Sequence, residues 1–329
     1  MSKRIVAIIL AAVIVFGGIV MSVVTTLASN VFNGSLNDLD EAPTSVVKNG
    51  DPSHQIAEIV VKGEISGESS GGLFGGGEGY NHKAALKQLE TIKKDDSIKG
   101  VLLVVNSPGG STYESDEFYQ KLKEVKDKGK KIYVQMETLA ASGGYYISMP
   151  ADKIYAGPQT LTGSIGVIMK AKDYSELLNN LGIKTNTIKS GNHKDILSPE
   201  REMTNEEREI LQSINKDSFD QFVKVIKEGR HMSEEKVRKL ADGRIYSAQQ
   251  AKANHLIDEI GYKEDAIKAM GKEMKVKNPQ VITFDESQQG LGSLFGMKAT
   301  LENIQANFTE IKQILNNNSD TRPMYLYEG

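Results

Sequence analysis

Ser142 stands in the stretch Thr138-Leu139-Ala140-Ala141-Ser142-Gly143-Gly144-Tyr145-Tyr146, where small residues bring the chain to a hydroxyl and leave it uncovered. A serine placed so at a strand-to-helix turn can act as a nucleophile, with the free N–H groups of the turn facing the group it attacks. The same pattern also fits a serine N-cap that simply opens a helix. Nucleophilic catalysis needs two further parts, a base for the hydroxyl proton and N–H donors for the developing oxyanion. Gly143, directly after the serine, is placed to give one donor. The turn Asn106-Ser107-Pro108-Gly109-Gly110 can bring a second close, because glycine lets the backbone approach a substrate with no Cβ in between. An ordinary strand-to-helix turn would look the same.

The base has few candidates. The five histidines are His54, His82, His193, His231 and His255. His54 and His82 flank stretches with the character of a linker and a flap, and His231 and His255 sit in polar, helical surroundings. His193 lies in a loop after an expected strand and stays a candidate. Beside it stands Lys194, which can serve as a base if burial lowers its pKa from about 10.4, since desolvation penalises an ammonium. A solvated surface lysine is the ordinary alternative. The chain has no cysteine, which excludes disulfides, thiolate catalysis and cysteine-based zinc sites. Nothing in the histidine set suggests a metal, and no cofactor is expected. The net charge of −3, with no basic block beyond the short patch from Lys126 to Lys131, gives no argument for a nucleic-acid partner.

An α/β alternation must position these residues. Ile56 to Ile65 has the β-branched enrichment of a strand, and a glycine-serine loop follows from Ser66 to Gly79. That loop has no Gly-Lys-Ser/Thr ending, so it is not a P-loop. A helix is expected over 82–95, a buried strand over Val101–Val105, a helix from Ser111 to Lys128, and a strand over Ile132–Met136. Further strands are expected at Ile154–Ala156, Leu161–Ile168, Ile183–Ile188 and Gln280–Phe284. Asp173, Thr204, Ser233 and Ser247 are expected to open helices. Continuous apolar strands between amphipathic helices argue for a parallel sheet covered on both faces. Such sheets place sites at the carboxyl ends of their strands, where both glycine-rich turns fall.

The ends of the chain differ in character. Lys3 and Arg4 precede an uncharged, nearly continuous apolar run from Ile5 to Val24. At about 1.5 Å per residue this is long enough to span a bilayer. We expect a membrane anchor over 5–27, residues 1–4 in the cytoplasm, and the rest of the chain outside. Thr26-Leu27-Ala28 before Ser29 also admits a signal-peptide cleavage site. Residues 28–54 have the polar, turn-rich composition of a linker, 55–285 form the main domain, and 286–329 form a C-terminal segment. In that segment Leu301, Ile304, Phe308, Ile311 and Leu315 make a helical seam suited to its own domain or to a second subunit. The tail from Thr321 to Gly329 is expected to be extended and exposed. Its Tyr325-Leu326-Tyr327 resembles a peptidase substrate and could enter the chain's own groove.

Five motifs occur together in order: Asn106-Ser-Pro-Gly-Gly, Ala141-Ser142-Gly-Gly-Tyr-Tyr, Leu161-Thr-Gly-Ser-Ile-Gly-Val, Ser190-Gly-Asn-His-Lys-Asp, and Asp242-Gly-Arg-Ile-Tyr-Ser with Gln250-Ala and Leu256-Ile-Asp. This order resembles the signal peptide peptidase A family in its short, single-repeat bacterial form. The resemblance implies a Clp protease/crotonase-like α/β fold of repeated ββα units behind one transmembrane helix. It implies a Ser–Lys serine endopeptidase that degrades released signal peptides and unfolded apolar segments, with no metal or cofactor. Carried over residue by residue, Ser142 would be the nucleophile and Lys194 the general base. Ser164 would orient the lysine, and Gly109 and Gly143 would form the oxyanion hole. His193 stands where some relatives carry tyrosine, which keeps a Ser142–His193 pair as a rival. The resemblance also implies a ring- or dome-shaped homo-oligomer, and the single repeat suggests that Lys194 reaches Ser142 from a neighbouring subunit. A non-proteolytic peptide-binding membrane scaffold of the same fold is the alternative. A crotonase-like acyl-thioester enzyme is a third, disfavoured by an extracytoplasmic address.

Overall fold

The two continuous apolar runs become the centre of a sheet. The structure is a computed structural model, and it describes residues 43–67, 79–284 and 322–328. The expected anchor, most of the glycine-serine loop and the helical seam at Leu301–Leu315 lie outside the described residues. Among the described residues, no helix is long and apolar enough to cross a membrane. The elements are β1 (Thr44–Lys48), β2 (Asp51–Lys62), α1 (His82–Lys94), β3 (Ile98–Ser107), β4 (Gly109–Ser111), α2 (Thr112–Asp127), β5 (Lys131–Ala141) and α3 (Gly143–Tyr146). There follow β6 (Lys153–Ala156), β7 (Leu161–Gly163), α4 (Ser175–Asn180), α5 (Asn205–Arg230), α6 (Glu234–Leu240), β8 (Ile245–Ser247) and α7 (Ala248–Ala253). Last come β9 (Glu259–Ile260), α8 (Lys263–Glu273), β10 (Pro279–Phe284) and β11 (Met324–Leu326).

One nine-stranded sheet runs in the order β1-β10-β2-β3-β5-β6-β9, with β7 paired to β5 and β8 to β7. The pairings from β10 through β9, and that of β7 on β5, are parallel. β1 and β8 join antiparallel, so the sheet is mixed rather than wholly parallel. On one face Leu102, Val104 and Tyr133 pack with Ala266, Ile267 and Met270 of α8. The alternate residues Leu103, Val105, Val134 and Met136 point the other way and are just as buried. Burial on both faces explains why β3 and β5 are apolar without a period of two. Helix starts follow local chemistry: Asn81 caps α1, and Thr204 with Glu207 and Ser247 with Gln250 form capping boxes on α5 and α7.

Five expectations come out differently. The end of the supposed linker is β1 and the start of β2, because Thr44–Lys48 finds β10 as an edge partner. Strand structure in Leu161–Ile168 stops at Gly163, after which Ser164 takes a positive φ of 47°. Asp173 does not take the N-cap position of α4, which Tyr174 holds with no side-chain capping bond, while the Asp173 carboxylate accepts from the Ser175 N–H and hydroxyl. Ile183–Ile188 is exposed and forms no strand, since among the described residues no strand pairs with it. The tail, expected to be extended with an exposed end, is the buried strand β11.

The far end of α5 is tied to β6 by charge. Arg230 donates through Nη1 and Nη2 to the Asp258 carboxylate at 3.0 and 2.8 Å, and Asp258 Oδ2 also accepts the Ile154 N–H at 2.7 Å. Arg230 and the Ile154 N–H hold the Asp258 pKa below its ordinary value despite burial. Asp258→Ala should therefore cost about 2–3 kcal/mol, because it strands the mostly buried guanidinium. Urea unfolding at pH 7 should show a lower midpoint with an unchanged slope. A depressed carboxylate stabilises above its unfolded pKa, so the difference between the proteins should shrink as pH falls below about 4.

Candidate active site

β5 runs straight into the Ser142 turn. Ala141 pairs with Gly163 at the end of β7, and the Ser142 N–H continues the ladder by donating to Gly163 O at 2.8 Å. The chain then reverses sharply, leaving Ser142 at φ 52° and ψ −114°, a costly backbone for a residue with a Cβ. Ser142 occupies the N-cap position of α3, yet its hydroxyl caps nothing. The residue is 1 % exposed and its Oγ has no hydrogen-bond partner. A strained serine whose buried hydroxyl is held free of its own helix is not acting as a cap.

The Pro108–Gly110 turn packs directly on this one. A Cβ built on Gly143 would lie 2.7 Å from Ser115 Oγ and 3.1 Å from both Gly109 Cα and Gly110 N. Gly109 has φ 99°, and a Cβ there would lie 2.5 Å from Gly143 N and 1.9 Å from the carbonyl oxygen of Tyr325. The bare Gly109 Cα thus brings the Gly143 amide and a peptide carbonyl to one point. The Gly109 N–H, expected as the second oxyanion donor, donates instead to Ser107 Oγ at 3.0 Å.

The peptide is the chain's own tail. β11 lies antiparallel on β4, with Met324 opposite Ser111, Tyr325 opposite Gly110 and Leu326 opposite Gly109. Tyr327 N donates to Pro108 O at 2.8 Å. On the tail's other side, Met324 and Ile168 exchange two backbone hydrogen bonds of 2.9 and 3.0 Å. The Tyr325 ring stacks on Tyr146 at 4.9 Å between centroids and leans on Phe222 at 4.7 Å; its hydroxyl donates to Ser218 O at 2.8 Å. Burial pushes the Tyr325 phenol pKa upward. This is a peptide bound by strand addition with an aromatic anchor. Ile168, Tyr146, Ser218 and Phe222 were not singled out from the sequence as peptide-contacting. Tyr146 falls within the serine motif, whereas helical periodicity gives Phe222 only the look of a core residue.

The remaining candidates divide. Ser164 follows Gly163, which holds the Ser142 N–H, and is anchored by its own N–H to Arg244 O at 2.8 Å; it belongs to the serine's surroundings. Lys194 does not join them. It lies exposed in a turn closed by Lys194 N to Gly191 O, and Ser142 Oγ is bonded to neither Lys194 nor His193. His193 faces carboxylates, with Nε2 at 3.4 Å from Glu206 and Nδ1 at 3.9 Å from Glu207. Among the described residues, no cluster of His, Asp and Glu could hold a metal ion.

Comparison with known proteins covers the same parts. Residues 75–162, which carry both glycine turns and Ser142, match the family model described as Clp protease. Residues 124–277, which carry Ser142, Ser164 and Lys194, match the model described as Peptidase family S49. An Enterococcus faecium protein named "Putative signal peptide peptidase SppA" is 39% identical over 316 residues, covering 93% of this chain and 90% of its own. Protease 4 of Salmonella typhi is 32% identical over 223 residues, 68% of this chain and 35% of its own length. The chloroplastic serine protease SPPA of Arabidopsis thaliana is 30% identical over 208 residues, 63% of this chain and 30% of its own.

Because a Cβ at Gly109 would meet backbone on two sides, no side chain can swing away to make room. Gly109→Ala should slow covalent capture of Ser142 by a fluorophosphonate roughly 100-fold or more, the cost of disturbing one oxyanion donor. Unchanged far-ultraviolet circular dichroism would show that the loss lies in the site.

Proposed function

The chain belongs to the signal peptide peptidase A family of serine peptidases, peptidase family S49, and from that premise we propose that it is a membrane-anchored endopeptidase working through a Ser142–Lys194 dyad. Its substrates are extended apolar peptides, released signal peptides among them. The observation that carries this is the partnerless, strained Ser142 hydroxyl beside a groove that already takes a peptide as an added strand. Ser142 Oγ attacks the scissile carbonyl while neutral Lys194 Nζ takes its proton. The Gly143 N–H stabilises the oxyanion, joined by Gly109 once its N–H turns from Ser107 toward the substrate. Lys194 returns the proton to the leaving amine, and water hydrolyses the acyl-enzyme by the reverse route. Ser164, anchored beside Ser142, orients the lysine.

The dyad is shared between subunits in this reading. Lys194 lies on an exposed excursion after Gly166 that carries Leu177, Leu181, Ile183 and a fully exposed Ile188. Apolar and β-branched side chains left in water, together with a base that does not meet its nucleophile in one protomer, fit docking onto a neighbour in a ring or dome. The apolar run at Ile5–Val24 would anchor this assembly, with residues 1–4 in the cytoplasm and the domain outside. The tail in the groove acts as a built-in competitor of substrates.

Ser142→Ala and Lys194→Ala should each abolish peptidase activity on a fluorogenic apolar peptide, whereas His193→Ala keeps most of it. Co-assembling the two dead variants one to one should restore activity at about a quarter of the sites, those pairing an intact serine with a neighbour's intact lysine. No recovery would place both residues in one subunit. A dead Lys194→Ala with a normal fluorophosphonate rate would remove the lysine from serine activation. An enzyme that neither cleaves peptide nor labels at Ser142 would be the scaffold. Deleting residues 321–329 should lower KM several-fold with little change in kcat, as expected when a tethered competitor is removed.

A further inference from the structure

Between Gly166 and Gln221 a single residue is buried, and it is a carboxylate: Glu207, 1 % exposed. It sits in the first turn of α5, where its Oε2 accepts the Thr204 N–H at 3.0 Å. Both terminal nitrogens of Arg201 donate to it as well, Nη1 to Oε2 at 2.8 Å and Nη2 to Oε1. The same guanidinium grips Asp195 from its other edge, Nε to Oδ2 at 3.0 Å and Nη2 to Oδ1 at 2.8 Å. It also reaches the carbonyls of Asp195 and Glu202. One planar fork thus spans two carboxylates, which a lysine's single ammonium cannot do. Its hydrogen bonds, joined by Lys189 Nζ to Asp195 Oδ1 at 2.6 Å, hold Asp195 well below the usual carboxylate range, and with the Thr204 N–H they hold Glu207 at about 2.

Asp195 is the residue next to Lys194, in the turn closed by Lys194 N to Gly191 O, Ile196 N to His193 O and Ser198 N to Asp195 O. The charged and titratable groups around this turn are Lys189, His193, Asp195 and Arg201 from its own loop, with Glu206 and Glu207 from α5. Three carboxylates therefore crowd the turn that carries the base. We propose that Arg201 is the positioning residue for Lys194, tying Asp195 to α5 so that the carboxylate beside the base is already neutralised and does not pair with the lysine. With Arg201 gone, Lys189 holds only Asp195 Oδ1, at 2.6 Å, and the carboxylate charge left uncompensated would favour the ammonium form of Lys194 and reduce the neutral fraction available to take the serine's proton. This inference rests on the Lys194 reading above, and its test separates the two.

The measurement is kcat/KM against pH for the full-length protein in detergent, where the acidic limb reports the base losing its proton. Arg201→Ala should move that limb upward by about one unit, so that activity falls roughly tenfold near neutrality and recovers at alkaline pH. Adding Asp195→Asn to Arg201→Ala should return the limb to its wild-type position. Arg201→Lys, which keeps the charge and supports the fold, should shift it in the same direction by less. A loss by the same factor at every pH, or a double variant that stays shifted, overturns the proposal. So does a wild-type profile for Arg201→Lys, which also decides the matter if Arg201→Ala does not assemble. Lys194→Ala distinguishes the underlying failure: if it keeps the wild-type profile, the base lies elsewhere and the Arg201 role falls with it. If Lys194→Ala is dead and the Arg201 limb does not move, the Arg201 role alone is wrong.

Discussion

At Gly109 backbone from the Pro108–Gly110 turn, the start of α3 and the tail meets with no room for a Cβ among them. Most of the site follows from that closeness. β4 is pressed against the chain just beyond β2, where Ile65 and β4 exchange bonds through Ile65 N to Gly109 O and Ser111 N to Ile65 O. A Cβ on Gly110 would fall 2.1 Å from Ile65 O, so the strip that receives the peptide must be glycine on its inner side. With β4 fixed there and β5 fixed by the sheet, the Ser142 turn has to reverse within one residue, which is why a serine carries the positive φ. The strain is borne by sheet pairings on both sides of the turn rather than by the turn itself.

The protomer carries two exposed or unsatisfied features of opposite kinds. A buried hydroxyl with no partner is uncommon, because the lost hydrogen bonds cost about 1–3 kcal/mol. Ser142 Oγ is such a group, and the exposed excursion after Gly166 presents the opposite imbalance, apolar side chains in water around a lysine with no bonded partner among the described residues. Each defect is of the kind the other would relieve. The fold commits its one buried position in the excursion to Glu207, and through Arg201 it ties Asp195, next to Lys194, to α5.

How much of this could be read in advance depended on whether the deciding interaction was local. β3 and β5 were legible from Val101–Val105 and Ile132–Met136 because burial on both faces writes itself as a continuous apolar run. The start of α5 was legible because the capping box at Thr204 and Glu207 lies within one turn. Ile183–Ile188 has a strand's residues but not a strand's partner, and pairing is not written in the segment that needs it. The tail errs in the other direction: Met324–Leu326 has no strand-forming length of its own, and β4 and Ile168 make it a strand. At the site, Ser142 and the glycines were identifiable by type and order. The bond from Gly109 N–H to Ser107 Oγ was not, since it depends on which way one peptide plane is turned.

The groove has two walls of different kinds, and this ties its occupancy to the segment that carries Lys194. One wall is β4, rigid and part of the serine's own support. The other is Ile168, and the chain leaving it passes through Lys170, which pairs with Glu328 of the tail, into the excursion that carries Lys194. Asn215 of α5 donates to Val167 O beside it, and α5 also supplies Phe222 and the Ser218 carbonyl to the aromatic anchor. A peptide strand laid between the walls therefore completes hydrogen bonds on the Ser142 side and on the side that leads to Lys194 at once. Its aromatic ring bears on the helix whose first turn holds Arg201. Binding and the ordering of the lysine's loop draw on the same contacts, so a peptide too short to reach Ile168 would touch the serine's wall and leave the other unpaired.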